Sequence, residues 1–154
     1  MHIFVENSCD HNLQGLNSNG YLEHLAKFVL HELNLSENCE LSLVFISELE
    51  MQALNLEFRG KDEPTDILSF NVNDDCVTPE PDGRVLLGDI YIAPSVVDTF
   101  EYAYSDIQTS IYERLVIHGI LHLCGFDHCI EEDALVMEAK EQDIAVKWSD
   151  LNKL

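Results

Sequence analysis

Apolar and polar residues alternate at the start of the chain, and this period of two predicts a first strand over residues 1–6. After a loop rich in Gly and Asn, apolar residues recur three and four positions apart from Leu22 to Leu33. This spacing predicts an amphipathic helix with one buried face. The apolar segment from Glu40 to Ile46 predicts a second, rather buried strand.

A capping signal marks the start of the next helix. Ser47 stands three positions before Glu50, the spacing of a capping box, in which each side chain binds the backbone N–H of the other residue. The helix is expected to end near Arg59 and Gly60, because glycine readily adopts the left-handed conformation that often follows a helix.

Two further strands are predicted at residues 66–72 and 86–92. The loop between them contains Pro79, Pro81 and Gly83, which are typical of turns and rare inside central strands. We therefore expect the two strands to pair as a long hairpin.

Three more helices are predicted in the second half of the chain. Pro94 and Ser95 open the first, Ser105 or Asp106 begins the second, which bears a group of histidines, and the third runs from Glu131 to Trp148. The whole pattern indicates an α+β fold, with a mixed sheet of about four strands surrounded by helices.

Composition indicates one folded unit. A chain of 154 residues, 46% hydrophobic and 24% charged, can bury a core of its own, and we expect a single domain over residues 1–154. The first residues lack the basic and apolar regions of a signal peptide, and no apolar stretch is long enough to span a membrane. We expect a soluble, cytoplasmic monomer without a membrane partner, with its five scattered cysteines reduced.

The net charge restricts the possible partners. Taken alone, the formal charge of −21 argues against broad electrostatic adhesion to nucleic acid, because such binding depends on Lys and Arg that neutralise phosphates. Any contact with nucleic acid must therefore be local.

The histidines form the clearest chemical motif, since residues 118–128 read H-x3-H-x2-G-x2-H. His118 and His122 differ by only about 40° around a helix axis, so they project from one face. Gly125 lies where the helix can end in a left-handed turn, which would bring His128 to the same face. Three imidazoles on one apolar helix need a compensating partner, and a metal ion provides it.

Zinc is the metal that best suits three neutral imidazoles, although Ni²⁺, Cu²⁺ or Mn²⁺ could load in vitro. We predict one Zn²⁺ held by His118, His122 and His128, with a fourth position open for water and hydrolytic chemistry. The alternative is a closed structural site with a cysteine thiolate as the fourth ligand. Cys124 is expected to face away from the histidines, whereas Cys129 adjoins His128 and stays open as a ligand.

The histidine spacing is that of the long metzincin motif, with one departure. Those peptidases carry a glutamate after the first histidine as general base, and this chain has Gly119 there. The motif thus indicates metal-dependent hydrolysis and argues against proteolysis. Asp127 is the nearest carboxylate, and we expect it to cap the turn or to hold a ligand imidazole rather than act as the base.

A second candidate segment contains Arg59 and Lys61, two of the eight basic residues of the chain. Arg59 could hold a phosphate through a bidentate contact and stabilise the charge that develops in phosphoryl transfer. A solvated Arg-Lys pair after a helix end is the simpler interpretation of these two residues alone.

With these segments the chain resembles the bacterial YbeY family of metal-dependent endoribonucleases. The resemblance rests on residues 118–128, 59–70 and 87–90, and it covers nearly the whole chain. It implies a zinc site at His118, His122 and His128 on a helix like that of zinc peptidases. It also implies that Arg59 acts with His118 in catalysis.

The resemblance further implies cleavage of single-stranded RNA. The expected substrate is ribosomal RNA, in maturation of the 3′ end of the small-subunit RNA and in ribosome quality control. The small ribosomal subunit or associated processing factors are the expected partners, because a chain this acidic has few cations with which to grip RNA. Two alternatives stay open: a peptidase or amidase on the same metal, and a non-catalytic ribosome-assembly factor with structural zinc.

Overall fold

The computed structural model describes residues 1–9, 11–13, 16, 20–72, 79–100, 110–127 and 129–152. The strands and helices in these ranges follow in this order: β1 His2–Asn7, α1 Tyr21–Glu32, β2 Cys39–Phe45, α2 Glu48–Arg59, β3 Ile67–Asn71, β4 Val85–Ile92, α3 Pro94–Val97, α4 Ile111–Leu123 and α5 Glu131–Leu151.

The strands form one mixed sheet in the order β1-β2-β4-β3. β1, β2 and β4 are parallel neighbours, whereas β3 runs antiparallel to β4, with Ile67 opposite Ile92 and Asn71 opposite Gly88. The predicted hairpin and the predicted α+β class with a four-stranded mixed sheet are both confirmed. β3 lies at one edge of this sheet, and that edge borders the cleft described below.

The main hydrophobic core lies between one face of the sheet and helices α1, α4 and α5. Alternate residues of β2 are buried in it, as the period of two requires: Cys39, Leu41, Leu43 and Phe45. α4 is buried along most of its length because it packs against the sheet, α1 and α5. A helix held on several sides is a rigid support for the few side chains that leave the core.

A smaller cluster lies on the opposite face of the sheet, beneath α2 and α3: Ile46, Met51, Leu68, Ala93 and Val96. α2 begins as predicted, because the Ser47 side chain accepts a hydrogen bond from the backbone N–H of Glu50 at 3.2 Å. It ends as predicted at Gly60, which has a φ of 71°. The C-terminal residue of this helix, Arg59, is thereby fixed at the edge of the sheet.

The predicted start of the histidine helix is wrong. α4 begins at Ile111, not at Ser105 or Asp106, both of which lie outside the described residues. Ser110 is the N-cap: its side chain accepts from the N–H of Glu113 at 3.2 Å, and Glu113 accepts from the N–H of Ser110 at 2.9 Å. This complete capping box stabilises the helix start at Ser110.

Glu113 also ties α4 to its two neighbouring helices. Its Oε2 atom accepts from the Tyr21 hydroxyl of α1 at 3.0 Å and from the Trp148 indole of α5 at 2.6 Å. A single buried carboxylate with three donors is well satisfied, and it fixes the orientation of α4 in the core.

The remaining predictions about helices are mostly confirmed. α3 has Pro94 at its start but is a single turn, and α5 begins at Glu131 but continues past Trp148 to Leu151. The described cysteines are free thiols, and Cys76 lies outside the described residues. Over the ranges given above, no helix is both long and apolar enough to cross a membrane.

Candidate metal centre and cleft

Two histidines project side by side from the strip of α4 that leaves the core. The ring centroids of His118 and His122 lie 4.7 Å apart, with 78° between the ring planes. Both side chains are partly exposed, whereas Ile117 and Leu121 beside them are fully buried. The helical spacing therefore produces the predicted pair on one face, at a distance from which two imidazoles can share an ion.

The helix ends in the predicted left-handed turn. Gly125 has a φ of 95°, a conformation that strains residues with a Cβ. The N–H of Gly125 donates to the carbonyl of His122 at 3.1 Å, and that of Phe126 donates to the carbonyl of Leu121 at 3.0 Å. These two bonds form a Schellman motif, which reverses the chain at the end of α4.

After this turn the chain returns to the histidines, since Asp127 and Cys129 line the same cleft as His118 and His122. His128, the third predicted ligand, lies outside the described residues. Among the residues that the structure does describe, no three His, Cys, Asp or Glu side chains are placed to hold one ion. The three-histidine site stays a prediction.

The residues around the turn take separate roles. Asp127 accepts from the backbone N–H of Cys129 at 3.3 Å, so it caps the turn as expected. A hydrogen bond from the Cys129 thiol to Asp127, followed by the charge of that carboxylate, raises the pKa of Cys129. Cys124 packs against the main core and is not a cleft residue, as predicted. A closed structural metal site would therefore need the Cys129 thiolate as its fourth ligand.

The cleft has a volume of about 540 Å³ and lies between α4 and the outer edge of β3. Besides the histidines, its lining comprises Arg59, Leu115, Asp127, Cys129 and a segment leading into β3: Thr65, Asp66, Ile67, Ser69 and Asn71. The structure thus brings Arg59 into the same cleft as His118 and His122, although these residues lie far apart in the sequence.

Hydrogen bonds from α2 fix the loop between Arg59 and the cleft-lining segment. The Gln52 side chain donates to the Asp62 carboxylate at 3.0 Å, and the buried Asn55 side chain donates to the carbonyl of Glu63 at 2.7 Å. Asp66 then accepts from the N–H of Ile67 at 2.8 Å. The loop is therefore anchored to the scaffold at several points.

Sequence reasoning missed the carboxylate behind the histidines. Glu141 of α5 places its Oε2 atom 3.1 Å from Nδ1 of His118, and its Oε1 atom accepts from Nε of Arg114 at 3.2 Å. The signal available was Arg114, a cation one helical turn before His118 in an otherwise apolar helix, which requires a buried partner. Nothing in the acidic sequence of α5 distinguishes Glu141 as that partner.

A second missed residue, Asn71, connects the sheet edge to the histidine helix. Its side-chain amide donates to the carbonyls of His122 at 3.3 Å and Leu123 at 3.0 Å. These carbonyls belong to the last turn of α4, where the helix has no N–H donors of its own left to bind them, and the His122 carbonyl also accepts from the N–H of Gly125. Asn71 thereby fixes the distance between the two walls of the cleft.

Fold and cleft together define a class of α+β proteins, in which a histidine pair on a buried helix faces the edge strand of a mixed sheet. The chain matches the family described as Endoribonuclease YbeY over residues 4–149, and it belongs to this family. The resemblance described above is confirmed.

Individual relatives agree with this assignment. The chain is similar to an Endoribonuclease YbeY from Pelotomaculum thermopropionicum, with 35% identity over 127 residues, 81% of this chain and 82% of the relative. It is 38% identical over 136 residues to one from Halalkalibacterium halodurans, covering 82% of this chain and 86% of the relative. A solution structure of a Thermotoga maritima protein shares the fold, with a TM-score of 0.55 and 24% identity over 97% of this chain and 93% of that one.

Proposed function

We propose that this protein is a zinc-dependent endoribonuclease that cleaves single-stranded RNA. Its proposed substrate is ribosomal RNA, at the 3′ end of the small-subunit RNA during maturation and in ribosome quality control. The relatives are named Endoribonuclease YbeY, which supports the reaction class. The observation that carries the proposal is the shared cleft of Arg59, His118 and His122.

The donor set fits a zinc ion. His118 and His122 offer two imidazoles 4.7 Å apart on a rigid helix, and a carboxylate lies behind one of them, as is usual for metal-binding histidines. We propose His128 as the third ligand, because its sequence neighbours Asp127 and Cys129 both line this cleft. When bound, one zinc ion would supply Lewis-acid chemistry toward the phosphodiester or a water molecule.

The side chains of the cleft supply the remaining functions. Arg59 is placed to bind a phosphate and to stabilise the negative charge that grows on it in the transition state. Asp66 and Asp127 are the carboxylates among the described residues of the cleft, and because Asp127 caps the turn after α4, Asp66 is the candidate for proton transfer. His118 acts as a ligand in this scheme, so its loss removes the centre on which the reaction depends.

Substrate positioning requires help from outside the chain. With eight basic residues against 29 acidic ones, the chain offers little long-range attraction to RNA, and Arg59 is the basic residue among the described residues of the cleft that can attract a phosphate together with the metal. We propose that a monomer works in the cytoplasm on the small ribosomal subunit, where the subunit or a processing factor presents the RNA.

Three proteins tested side by side examine this proposal: wild type, Arg59→Glu and His118→Ala, each loaded with zinc or treated with a chelator. Wild type should cleave single-stranded RNA and leave duplex RNA intact, and both variants and the chelated enzyme should lose this activity. Peptide cleavage without RNA cleavage would support a peptidase. Unfolding upon metal removal, with biological function unchanged in Arg59→Glu, would support a structural zinc.

A substrate with a single 2′-deoxy residue at the cleavage position identifies the nucleophile. If the 2′-hydroxyl of the RNA attacks, this substrate is not cut. Cleavage at an unchanged rate would show that water attacks.

A further inference from the structure

A buried ion pair connects α4 to α5 directly behind the candidate metal ligands. Arg114 is 3% exposed and Glu141 is 5% exposed. Two charges in such a position lose most of their hydration, and apolar residues of similar size often stabilise a helix interface at least as well. Packing of the two helices alone therefore does not require this pair.

The hydrogen bonds of Glu141 are divided between two partners. One carboxylate oxygen, Oε1, accepts from Nε of Arg114 at 3.2 Å, and the other, Oε2, lies 3.1 Å from Nδ1 of His118. Arg114 is itself oriented by the Gln142 side chain, which accepts from its Nη1 at 2.9 Å. The result is a chain of contacts that leads from a fully buried guanidinium to a partly exposed imidazole at the cleft.

We infer that Glu141 is a positioning residue for the metal centre: it accepts the Nδ1 proton of His118 and so directs the lone pair of Nε2 into the cleft. The inference rests on the proposed role of His118 as a ligand. An ionised carboxylate behind a histidine fixes the ring orientation and makes the opposite nitrogen a better donor to a metal. Arg114 binds Oε1 of this carboxylate and so keeps Oε2 turned toward His118.

This role explains why Arg114 and Glu141 are buried here although both charges lose most of their hydration. A carboxylate that only joined α4 to α5 would need Arg114 alone, whereas Glu141 uses its second oxygen on the histidine. Both partners of Glu141 lie on the same face of α4, one helical turn apart, so a single side chain from α5 can reach them together.

The test compares zinc affinity with stability in four proteins: wild type, Glu141→Gln, the double variant Arg114→Met with Glu141→Leu, and the control Glu138→Gln on the exposed side of α5. Zinc dissociation constants are measured by competition with a chromophoric chelator, and stability is measured by urea unfolding of the zinc-free proteins. We expect Glu141→Gln to bind zinc 10–100-fold more weakly than wild type, the usual effect of losing such a partner. Glu138→Gln should bind zinc like wild type.

The double variant separates positioning from a merely structural role. It removes both buried charges, so its free energy of unfolding should equal or exceed that of wild type. Its zinc affinity should nevertheless be 10–100-fold weaker than that of wild type. Recovery of zinc affinity together with stability would overturn the inference. Failure of wild type itself to bind zinc, or equal binding by His118→Ala, would instead refute the proposed metal site.

A spectroscopic measurement on wild type needs no variant that might misfold. At a pH where imidazoles are neutral, ¹⁵N spectra of the zinc-free protein show whether the proton of a histidine ring lies on Nδ1 or on Nε2. We expect the His118 proton on Nδ1, facing Glu141. A proton on Nε2 would contradict the inference.

Discussion

Gly119 lies so close to Ile90 of β4 that a Cβ atom on the glycine would stand 3.0 Å from both Cγ2 and Cδ1 of the isoleucine. The same atom would be 3.2 Å from Cδ1 of Ile67. Position 119 therefore faces the sheet, and a side chain there would require Ile90 and Ile67 to shift by a few tenths of an ångström. In the metzincin motif, which has the same histidine spacing, this position holds the catalytic glutamate, a much larger side chain than this packing accommodates.

Substitution of Gly119 should reveal the tight contact. Gly119→Ala gains about 1 kcal/mol of helix propensity but overpacks the core, which typically costs about 1–3 kcal/mol, so we expect a net loss of up to about 2 kcal/mol. Ile90→Val removes Cδ1 and should relieve part of the clash. In urea unfolding, the double variant should lose at least about 0.5 kcal/mol less than the sum of the single losses. Strictly additive losses would show that the two residues do not compete for space.

Arg59 should account for a measurable part of the salt dependence of RNA binding. Each phosphate contact on a single strand contributes a slope of about −0.7 to a plot of log affinity against log salt concentration. We expect Arg59→Gln to make the slope shallower by about 0.7 and to weaken binding. Lys61→Gln is the matched control, because Lys61 is exposed but is not a cleft residue, and it should change the slope less. Binding is measured by fluorescence anisotropy with a single-stranded oligoribonucleotide.

One result of this comparison between Arg59 and Lys61 would contradict the role proposed for Arg59. If Lys61→Gln changed the slope as much as Arg59→Gln, or more, the phosphate would bind outside the cleft, and the role proposed for Arg59 would be wrong.

Much of the fold was predictable because its signals are local. The capping pair of Ser47 and Glu50, the glycine that reverses the chain at position 125, and the turn residues of the β3–β4 hairpin each act within a few residues of their own position. The start of α4 was missed although its signal is equally local. Ser110 precedes Glu113 at capping-box spacing, but Ser105 precedes Gln108 at the same spacing, so the local signal alone does not decide between the two starts.

The site was predictable only where its residues share one element. His118 and His122 lie on one helix, so their spacing sets their geometry. The contact of Glu141 with His118 depends instead on how α5 crosses α4, and that packing is decided by the whole core. Arg59 likewise reaches the cleft only because the antiparallel pairing of β3 with β4 places the end of α2 at this edge. Sequence reasoning without the family resemblance would have left Arg59 as a surface residue.

Tyr112 should make the protein sensitive to alkaline pH. Its ring is 6% exposed, and its hydroxyl donates to the Asp98 carboxylate at 3.0 Å. Burial first, then this hydrogen bond and the charge of Asp98, raise the pKa of Tyr112 well above its usual range. Because the folded state favours the neutral phenol, this contribution to stability is complete below the unfolded pKa of about 10 and is lost as the pH rises above it.

The free energy of unfolding should therefore fall above about pH 10 in wild type. Tyr112→Phe should lower the free energy of unfolding by about 1 kcal/mol at neutral pH, because the hydrogen bond to Asp98 is lost. In the alkaline range, the free energy of unfolding of this variant should fall less steeply than that of wild type. Tyr91→Phe is the comparison: burial, followed by the charges of Asp89 and Glu6, also raises the pKa of Tyr91, but this side chain is only partly buried, so its substitution should flatten the slope less. Urea unfolding between about pH 8 and 11 measures both slopes. Parallel curves for wild type and Tyr112→Phe would show that another group controls alkaline stability.

Asn71 should determine how firmly the end of α4 is held against β3. Asn71→Ala loses both bonds to the carbonyls of His122 and Leu123, and we expect it to cost about 1 kcal/mol in stability. Asn71→Asp keeps the size of the side chain but cannot donate, and its negative charge lies at the negative end of a helix, so it should cost more. Ser69→Ala on the same strand, also a cleft residue, is the control.

Hydrogen exchange locates the effect of Asn71 within the helix end. The amides of Gly125 and Phe126 bind the carbonyls of His122 and Leu121, so both should exchange faster in Asn71→Ala and fastest in Asn71→Asp. Zinc binding should weaken in the same order, because His122 lies on the turn that is loosened. Wild-type exchange at Gly125 and Phe126 in Asn71→Asp would mean that the Schellman motif holds the helix end without the strand.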